Sequence, residues 1–292
     1  MAIERLLKIA IIHLILFLNV VLALAIFGYF EKSIVWGLAV FFALSFISYL
    51  VYRVVVKKDR PKLNKFEITV LVIIALIAIF NGLLHHDIPR GRDDMGYLSA
   101  AIMINDSGSL AFEDPISHPY HPFRNIEGDK FTSQFLPAYN AYLGSLYAVG
   151  GLALMLWANA ILLFFSLIAI YYFTKNLLDS KAGFIAVILF SSLYVTNWFA
   201  RRVNSEGLLM LLIFAALWLV TVGWKKKKLS WIVASLPIVS LSILARGEAL
   251  AYLAATLMVV LMAIYHFRSQ FVTTLKVIIP SFLITAFNLF LF

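Results

Sequence analysis

Long apolar runs, separated by short basic or polar segments, occupy most of the chain. A helix needs about 20 predominantly apolar residues to cross the hydrocarbon core of a membrane, and most of the runs reach or approach that length. We therefore predict an all-α polytopic membrane protein with about nine transmembrane helices. The predicted spans cover residues 7–30, 33–55, 67–84, 152–174, 182–200, 207–224, 229–244, 249–265 and 277–292.

One apolar piece, residues 135–149, is interrupted by Pro137 and Gly144. Segments of this length are more often re-entrant or interfacial than spanning. The positive-inside rule decides the question, because all the basic clusters lie on one side of the membrane only if this piece does not cross. The clusters are Arg5/Lys8, Lys57/Lys58/Arg60/Lys62/Lys65, Lys175/Lys181, Lys225 to Lys228, and Arg268/Lys276. We therefore predict a re-entrant helix over 135–149.

The resulting topology has a cytoplasmic N-terminus and a large first outer loop over residues 85–151, which contains amphipathic interfacial helices. The turns at 201–206 and 246–248 fall on the same outer face. Internal repeats are not evident, so residues 1–292 are interpreted as a single helical membrane domain. The last span ends inside an apolar run at Phe292. We interpret this end as an incomplete C-terminus, with a partner polypeptide as a candidate source of the remaining helices.

Composition narrows the classes of function. The net charge of +9 comes mainly from the basic clusters beside the spans, so it indicates membrane topology and no nucleic-acid partner. The absence of cysteine excludes disulfides, thiolate metal ligands and a cysteine nucleophile. The candidate locations are the plasma membrane and, in a eukaryote, the endoplasmic reticulum.

Candidate chemistry is concentrated in the outer loop. Residues 85–134 hold eight of the chain's 15 acidic residues and four of its 6 histidines. Within this segment Arg92-Asp93-Asp94 precedes apolar residues at helical spacing, which predicts a short surface helix with both aspartates at its N-terminus. Carboxylates at that position either cap free backbone amides or take part in catalysis. The residues alone leave both alternatives open.

The order of these elements resembles that of the GT-C superfamily of membrane glycosyltransferases, which includes protein O-mannosyltransferases and lipid A aminoarabinose transferases. The resemblance covers about residues 67–250. The run from Asp93 to Tyr97, Asp-Asp-Met-Gly-Tyr, matches the acidic motif of the family's first outer loop, and Asp93 matches its catalytic carboxylate. The run from Arg201 to Glu206 resembles the family's arginine-to-acidic element, and residues 137–150 resemble its proline-led helix ending in glycine.

The resemblance implies a reaction in which a monosaccharide passes, with inversion, from a polyprenyl phosphate to an extracytoplasmic protein, lipid or glycan. Asp93 is the expected base, and Asp94 orients the acceptor, binds a metal or caps the helix. The residues expected to contact the substrate or its phosphate are Arg92, Tyr97, Arg201, Arg202, Glu206 and Arg246. Guanidinium groups suit this task because their paired donors match phosphate oxygens. Arginines at a membrane face also extend toward lipid headgroups, which is the alternative interpretation.

A divalent metal is a candidate cofactor, with Asp93, Asp94, His118 and His121 as candidate ligands, although their spacing does not identify a metal site. Two other functions remain as alternatives. The first is a non-catalytic subunit that binds lipid-linked sugar, which residues 132–134 favour because they are Thr-Ser-Gln where the family often has lysine or glutamate. The second is a transporter, which is disfavoured because nearly all charges lie at helix ends.

Overall fold

The computed structural model describes residues 3–58, 64–85, 92–113, 123–127 and 130–292, and these residues form thirteen α-helices and three short strands. The helices are α1 (Ile3–Phe27), α2 (Lys32–Val51), α3 (Lys65–Leu83), α4 (Arg92–Ser107), α5 (Pro137–Leu156), α6 (Ala158–Leu177), α7 (Ser180–Ser192), α8 (Tyr194–Ala200), α9 (Glu206–Lys225), α10 (Leu229–Val233), α11 (Leu236–Ile243), α12 (Leu250–His266) and α13 (Phe271–Leu291). The strands are β1 (Ala111–Glu113), β2 (Phe123–Glu127) and β3 (Lys130–Ser133). The predicted class, a polytopic α-helical membrane protein, is confirmed.

Within the described residues, 7 helical segments are long and apolar enough to cross a membrane. Each of them is built on one of the helices α1, α2, α3, α6, α9, α12 and α13. The predicted span at 182–200 is instead the pair α7 and α8, which meet at an angle of 71° and make an eighth span if they cross together. The bend lies at Leu193, whose extended backbone, with ψ of 130°, ends the hydrogen bonding of α7. The helix predicted over 182–200 is therefore broken at Leu193, and its crossing of the membrane stays a prediction.

The predicted span at 229–244 forms two short helices, α10 and α11. Together they cover about 15 residues, or about 22 Å as a helix, which is short of the roughly 30 Å of a hydrocarbon core. Most side chains of α11 are buried within the protein. The short length of its helices keeps this segment out of the seven candidate spans, and its crossing of the membrane stays a prediction.

Local signals in the sequence account for several helix boundaries. The side chain of Asn64 accepts a hydrogen bond from Phe66 N (3.0 Å) at the start of α3, and Asp179 accepts one from Ala182 N (2.8 Å) at the start of α7. Pro137 occupies the first turn of α5, where its missing N–H costs nothing. Gly151 has a left-handed backbone, with φ of 64°, that breaks α5. Helix α5 is not among the seven candidate spans, and its re-entrant path stays a prediction.

The chain divides into two compact units. The first consists of residues 1–161 and 200–204, and in it α4 packs along α5, joined by a hydrogen bond from Asn105 Nδ2 to Gly144 O (2.9 Å). The second consists of residues 162–199 and 205–292. There α11 packs against α9, α12 and α13, and Asn288 Nδ2 donates to Ser240 Oγ (2.9 Å). The interpretation of the whole chain as one domain stays a prediction.

A small antiparallel sheet in the order β1-β3-β2 lies between α4 and α5 in the chain, where only helices were expected. Phe112 of β1 pairs with Phe131 of β3, and its ring also contacts Phe123 of β2 edge-on, with 4.9 Å between the ring centroids. Such cross-strand aromatic pairs stabilise a sheet. Strand β1 has only 3 residues, and the sequences of β2 (Phe-Arg-Asn-Ile-Glu) and β3 (Lys-Phe-Thr-Ser) lack the regular apolar–polar alternation by which a strand is predicted.

Gly82, near the end of α3, is packed against an aromatic ring, which gives a first testable prediction. A Cβ at this position would come within 2.5 Å of Trp157 Cε3, so we expect Gly82→Ala to lower the free energy of unfolding by about 1–3 kcal/mol through overpacking. Gly37→Ala in α2 is the matched control, since no atom apart from the adjoining backbone of its own helix lies within 4 Å of its added Cβ. Thermal unfolding in detergent measures both variants. Equal stability of the two would contradict the packing of Trp157 on Gly82.

Candidate active site

The two aspartates at the start of α4 have different environments. Both lie in the first turn of the helix, as the sequence predicts. Successive residues of a helix point about 100° apart, and here Asp93 is exposed while Asp94 is only 3% exposed. The pair therefore offers one carboxylate to the surroundings and keeps the other inside the protein.

Asp94 forms a buried ion pair with Arg202. Arg202 Nε donates to Asp94 Oδ2 at 2.8 Å, and the Arg202 side chain is 16% exposed. In the described part of the chain, the other carboxylate oxygen, Asp94 Oδ1, is buried without a hydrogen-bond partner. The contact joins residues 108 positions apart in the sequence. It fixes the start of α4 against the turn at 200–204 within the first unit.

Arg201 has a different kind of partner from its neighbour. Its Nε donates to the amide oxygen Oδ1 of Asn81 at 2.9 Å, and its guanidinium lies over the ring of Phe80, 5.7 Å from the centroid. Both partners are neutral. Among the described residues no carboxylate pairs with Arg201, so its positive charge is not compensated there as that of Arg202 is.

Asn159, at the start of α6, holds the backbone of the turn that carries both arginines. Its Nδ2 donates to the carbonyl oxygens of Arg202 (2.6 Å) and Asn204 (2.8 Å). Its Oδ1 accepts from the hydroxyl of Tyr139 at 3.0 Å. Asn159 and Tyr139 are both buried. Their hydrogen bonds fix the turn in the interior, where an unsatisfied carbonyl would be costly.

Aromatic packing completes the contact between α4 and α5. The ring of Tyr97 stacks on Phe135, with 4.2 Å between centroids, and meets Tyr139 edge-on at 4.9 Å. Tyr97 lies three residues after Asp94 and so occupies the same face of α4. Burial raises the pKa of Tyr142, one turn further along α5, and its protonated hydroxyl donates to Ala158 O at 2.9 Å. These contacts connect Asp94 to the elements that hold the arginine turn.

The other predicted substrate residues, Glu206 and Arg246, lie in the second unit. Arg246 Nη1 donates to Glu206 Oε1, and Arg246 Nε donates to Glu248 Oε1. One guanidinium thus lies between two carboxylates that the sequence separates by 42 positions. The positive charge of Arg246 is compensated locally, which distinguishes it from Arg201.

Three predicted residues cannot be placed in this geometry. His118 and His121 lie outside the described residues, and so does the side chain of Arg92. Among the residues that the structure does describe, no group of three or more acidic, histidine or cysteine side chains is arranged to hold a metal ion. The metal site therefore stays a prediction.

The sequence reasoning missed Asn81, Tyr139 and Asn159. A signal for two of them was present, because an asparagine inside an apolar span is costly in a membrane and is normally retained for a specific contact. Asn81 and Asn159 lie in the predicted spans 67–84 and 152–174. Nothing local distinguishes Tyr139 from the other tyrosines near the membrane interface.

Comparison with known proteins adds one positive result. The model of the family described as dolichyl-phosphate-mannose-protein mannosyltransferase matches residues 137–291, slightly more than half of the chain. The match includes Asn159, Arg201 and Arg202 and begins after Asp93 and Asp94. No curated protein and no solved structure matches the chain.

Proposed function

Since the chain belongs to the dolichyl-phosphate-mannose-protein mannosyltransferase family and is a membrane glycosyltransferase of the GT-C type, we propose that its donor is a sugar linked to a polyprenyl phosphate. The sugar passes with inversion to a hydroxyl group on the extracytoplasmic face. The assignment of roles to residues rests on the different burial of the two aspartates. Asp93 is exposed, while Asp94 is buried against Arg202.

Asp93 is the general base in this proposal. A base must reach the hydroxyl proton of the acceptor, and the exposed carboxylate of Asp93 is accessible to it. Asp94 cannot take the same role as easily, because the Arg202 guanidinium engages one of its oxygens and the protein covers the other.

Arg201 is the proposed ligand of the donor phosphate. A phosphate needs positive charge in the ground state and more as the sugar departs, when charge develops on the leaving oxygen. The uncompensated guanidinium of Arg201 supplies it, while the ion pair of Arg202 with Asp94 positions the turn. Arg201 and Asp93 are each one residue from the members of that ion pair. The pair therefore keeps the proposed base and the proposed phosphate ligand in one region of the first unit.

The bond changes follow from these roles. The acceptor oxygen attacks the anomeric carbon on the face opposite the phosphate, and the bond from that carbon to the phosphate oxygen breaks. The acceptor proton passes to the Asp93 carboxylate, and polyprenyl phosphate leaves with the bonding electron pair. A single displacement of this kind inverts the anomeric centre, as with a single carboxylate base in inverting glycosidases.

The proposed role of Arg201 gives a second prediction. Losing a hydrogen bond to a charged group costs about 1.5–3 kcal/mol, so Arg201→Gln should lower kcat/KM for the lipid-linked donor by about 10- to 150-fold. Arg246→Gln is the comparison variant, and its loss should be smaller because two carboxylates already compensate that charge. Steady-state transfer at varied donor concentration measures both. A larger loss for Arg246→Gln would place the phosphate ligand in the second unit.

The proposed donor class is tested with the purified chain in lipid vesicles. Labelled monosaccharides, mannose first, are supplied as polyprenyl phosphates and, in a parallel reaction, as nucleotide sugars. Transfer to an acceptor, or release of polyprenyl phosphate with water as acceptor, is expected only from the lipid-linked donor. Transfer from the nucleotide sugar alone would overturn the donor assignment. Binding of the lipid-linked donor without turnover would identify a sugar-binding subunit instead of an enzyme.

A further inference from the structure

One end of the second unit, where α6, α9 and α12 finish and α7, α10 and α13 begin, carries concentrated positive charge. This basic end consists of Lys175, Lys181, Lys225, Lys226, Lys227, Lys228 and Arg268. The carboxylate in the same three turns is that of Asp179, which accepts a hydrogen bond from Ala182 N. The four consecutive lysines are all exposed. The transfer reaction proposed above uses none of these residues.

The lysine run is held in a defined turn. Gln270 Nε2 donates to the carbonyl oxygen of Lys227 at 2.7 Å, and Gln270 Oε1 accepts from Leu229 N at 3.2 Å. Lys227 has a left-handed backbone, with φ of 50°, which is uncommon for a residue other than glycine and persists when its surroundings hold it. Lys225 Nζ donates to Asn176 O at 3.1 Å, which joins the run to the end of α6. These hydrogen bonds hold the backbone of the four lysines in one defined arrangement at the surface.

An aromatic and apolar surface adjoins the charges. The ring of Trp224 stacks on that of His266, with 5.7 Å between centroids and 14° between planes. Tyr265 and Val272 flank this stack in the sequence and are 81% and 75% exposed. Tryptophan and tyrosine rings are enriched at the headgroup level of a membrane, where one side is apolar and the other wet. The lysines therefore adjoin side chains suited to the boundary between headgroups and acyl chains.

We propose that the basic end binds the headgroup of an anionic phospholipid, with the phosphate held by Lys226, Lys227 and Lys228 and the acyl chains lying along Trp224 and Val272. Clusters of basic residues beside a transmembrane helix attract anionic lipids, which are enriched in the cytoplasmic leaflet. The predicted topology places the basic end on that side. The proposal is independent of the transfer reaction.

Two matched double variants test the proposal in neutral detergent. Thermal stabilisation of the full chain is measured against added phosphatidylglycerol or phosphatidylcholine, relative to each variant's own lipid-free value. Each lysine near a membrane contributes about a fivefold factor in affinity, so Lys226→Gln/Lys227→Gln should weaken the apparent phosphatidylglycerol affinity about 25-fold. Lys57→Gln/Lys58→Gln is the control. It also removes two exposed lysines at a helix end, and Lys58 likewise has a left-handed backbone, with φ of 49°.

The expected result is a loss in the first double variant that clearly exceeds any loss in the control, because only the first removes charges proposed to contact the phosphate. Equal losses would show diffuse attraction by any basic cluster and would overturn the site. Gln270→Ala keeps every charge but releases the turn, so it should weaken phosphatidylglycerol binding several-fold, and unchanged binding would overturn the role of the turn. Equal protection by phosphatidylcholine, or by soluble glycerol phosphate at the same concentration, would overturn the assignment to an anionic lipid.

Discussion

Asp94→Ala is expected to lower the free energy of unfolding by about 3–5 kcal/mol, because it removes one partner of the buried ion pair with Arg202. Asp94 is 3% exposed, and the contact to Arg202 Nε is 2.8 Å long. A loss of this size is a large part of the stability of an ordinary domain. Thermal unfolding of the purified protein in detergent should show it directly.

Two further variants distinguish the loss of the ion pair from a general sensitivity of α4 to substitution. Asp93→Ala alters the exposed neighbour in the same turn and should change stability by less than about 0.5 kcal/mol. The double variant Asp94→Leu/Arg202→Leu replaces both charges with apolar groups and should recover much of the loss. If Asp93→Ala destabilises the protein as much as Asp94→Ala does, the assignment of the buried carboxylate is wrong.

Features that depend on neighbouring residues were predictable from the sequence. The apolar runs predicted the class of fold, since a membrane requires helices of a minimum length. The helix beginning at Arg92 was predicted from the spacing of its apolar residues and from the acidic residues in its first turn. The helix beginning at Pro137 was expected, from the family resemblance, to end in glycine at residue 150, and it is broken at the next residue, Gly151, with φ of 64°.

Features that depend on distant residues were not predictable. The sequence placed Asp93 and Asp94 equally at a helix start, and only the packing of α4 on α5 through Tyr97 and Tyr139 determines which carboxylate is buried. The two arginines were likewise treated as one pair, although Asn81 engages one and Asp94 the other. Each of these contacts joins residues more than 40 positions apart, so no local pattern reports it.

Asp93→Asn is expected to abolish most of the transfer activity while leaving the fold intact. Asparagine keeps the shape of the side chain but cannot accept the acceptor's proton, and a general base contributes about 10²- to 10⁴-fold to a rate. We therefore expect kcat to fall by a factor in that range. Donor binding should persist, because the phosphate contact is proposed to lie at Arg201. The exposed position of Asp93 indicates that stability will hardly change.

Asp106→Asn provides the matched control for this variant. Asp106 is an exposed aspartate in the same helix, at the end opposite to Asp93. Its substitution removes the same charge with the same change of shape, so any general effect of the charge on α4 or on the membrane surface appears in both variants. We expect its transfer rate to equal that of the wild type.

The rate of labelled-sugar transfer from a polyprenyl-phosphate donor, measured in lipid vesicles for the wild type, Asp93→Asn and Asp106→Asn, tests the central claim most directly. If Asp93 is the base, the wild type and Asp106→Asn should transfer the sugar at the same rate. The rate for Asp93→Asn should be at least about 100-fold lower, with donor binding retained. Transfer by Asp93→Asn at the wild-type rate would contradict the assignment of Asp93 as the base.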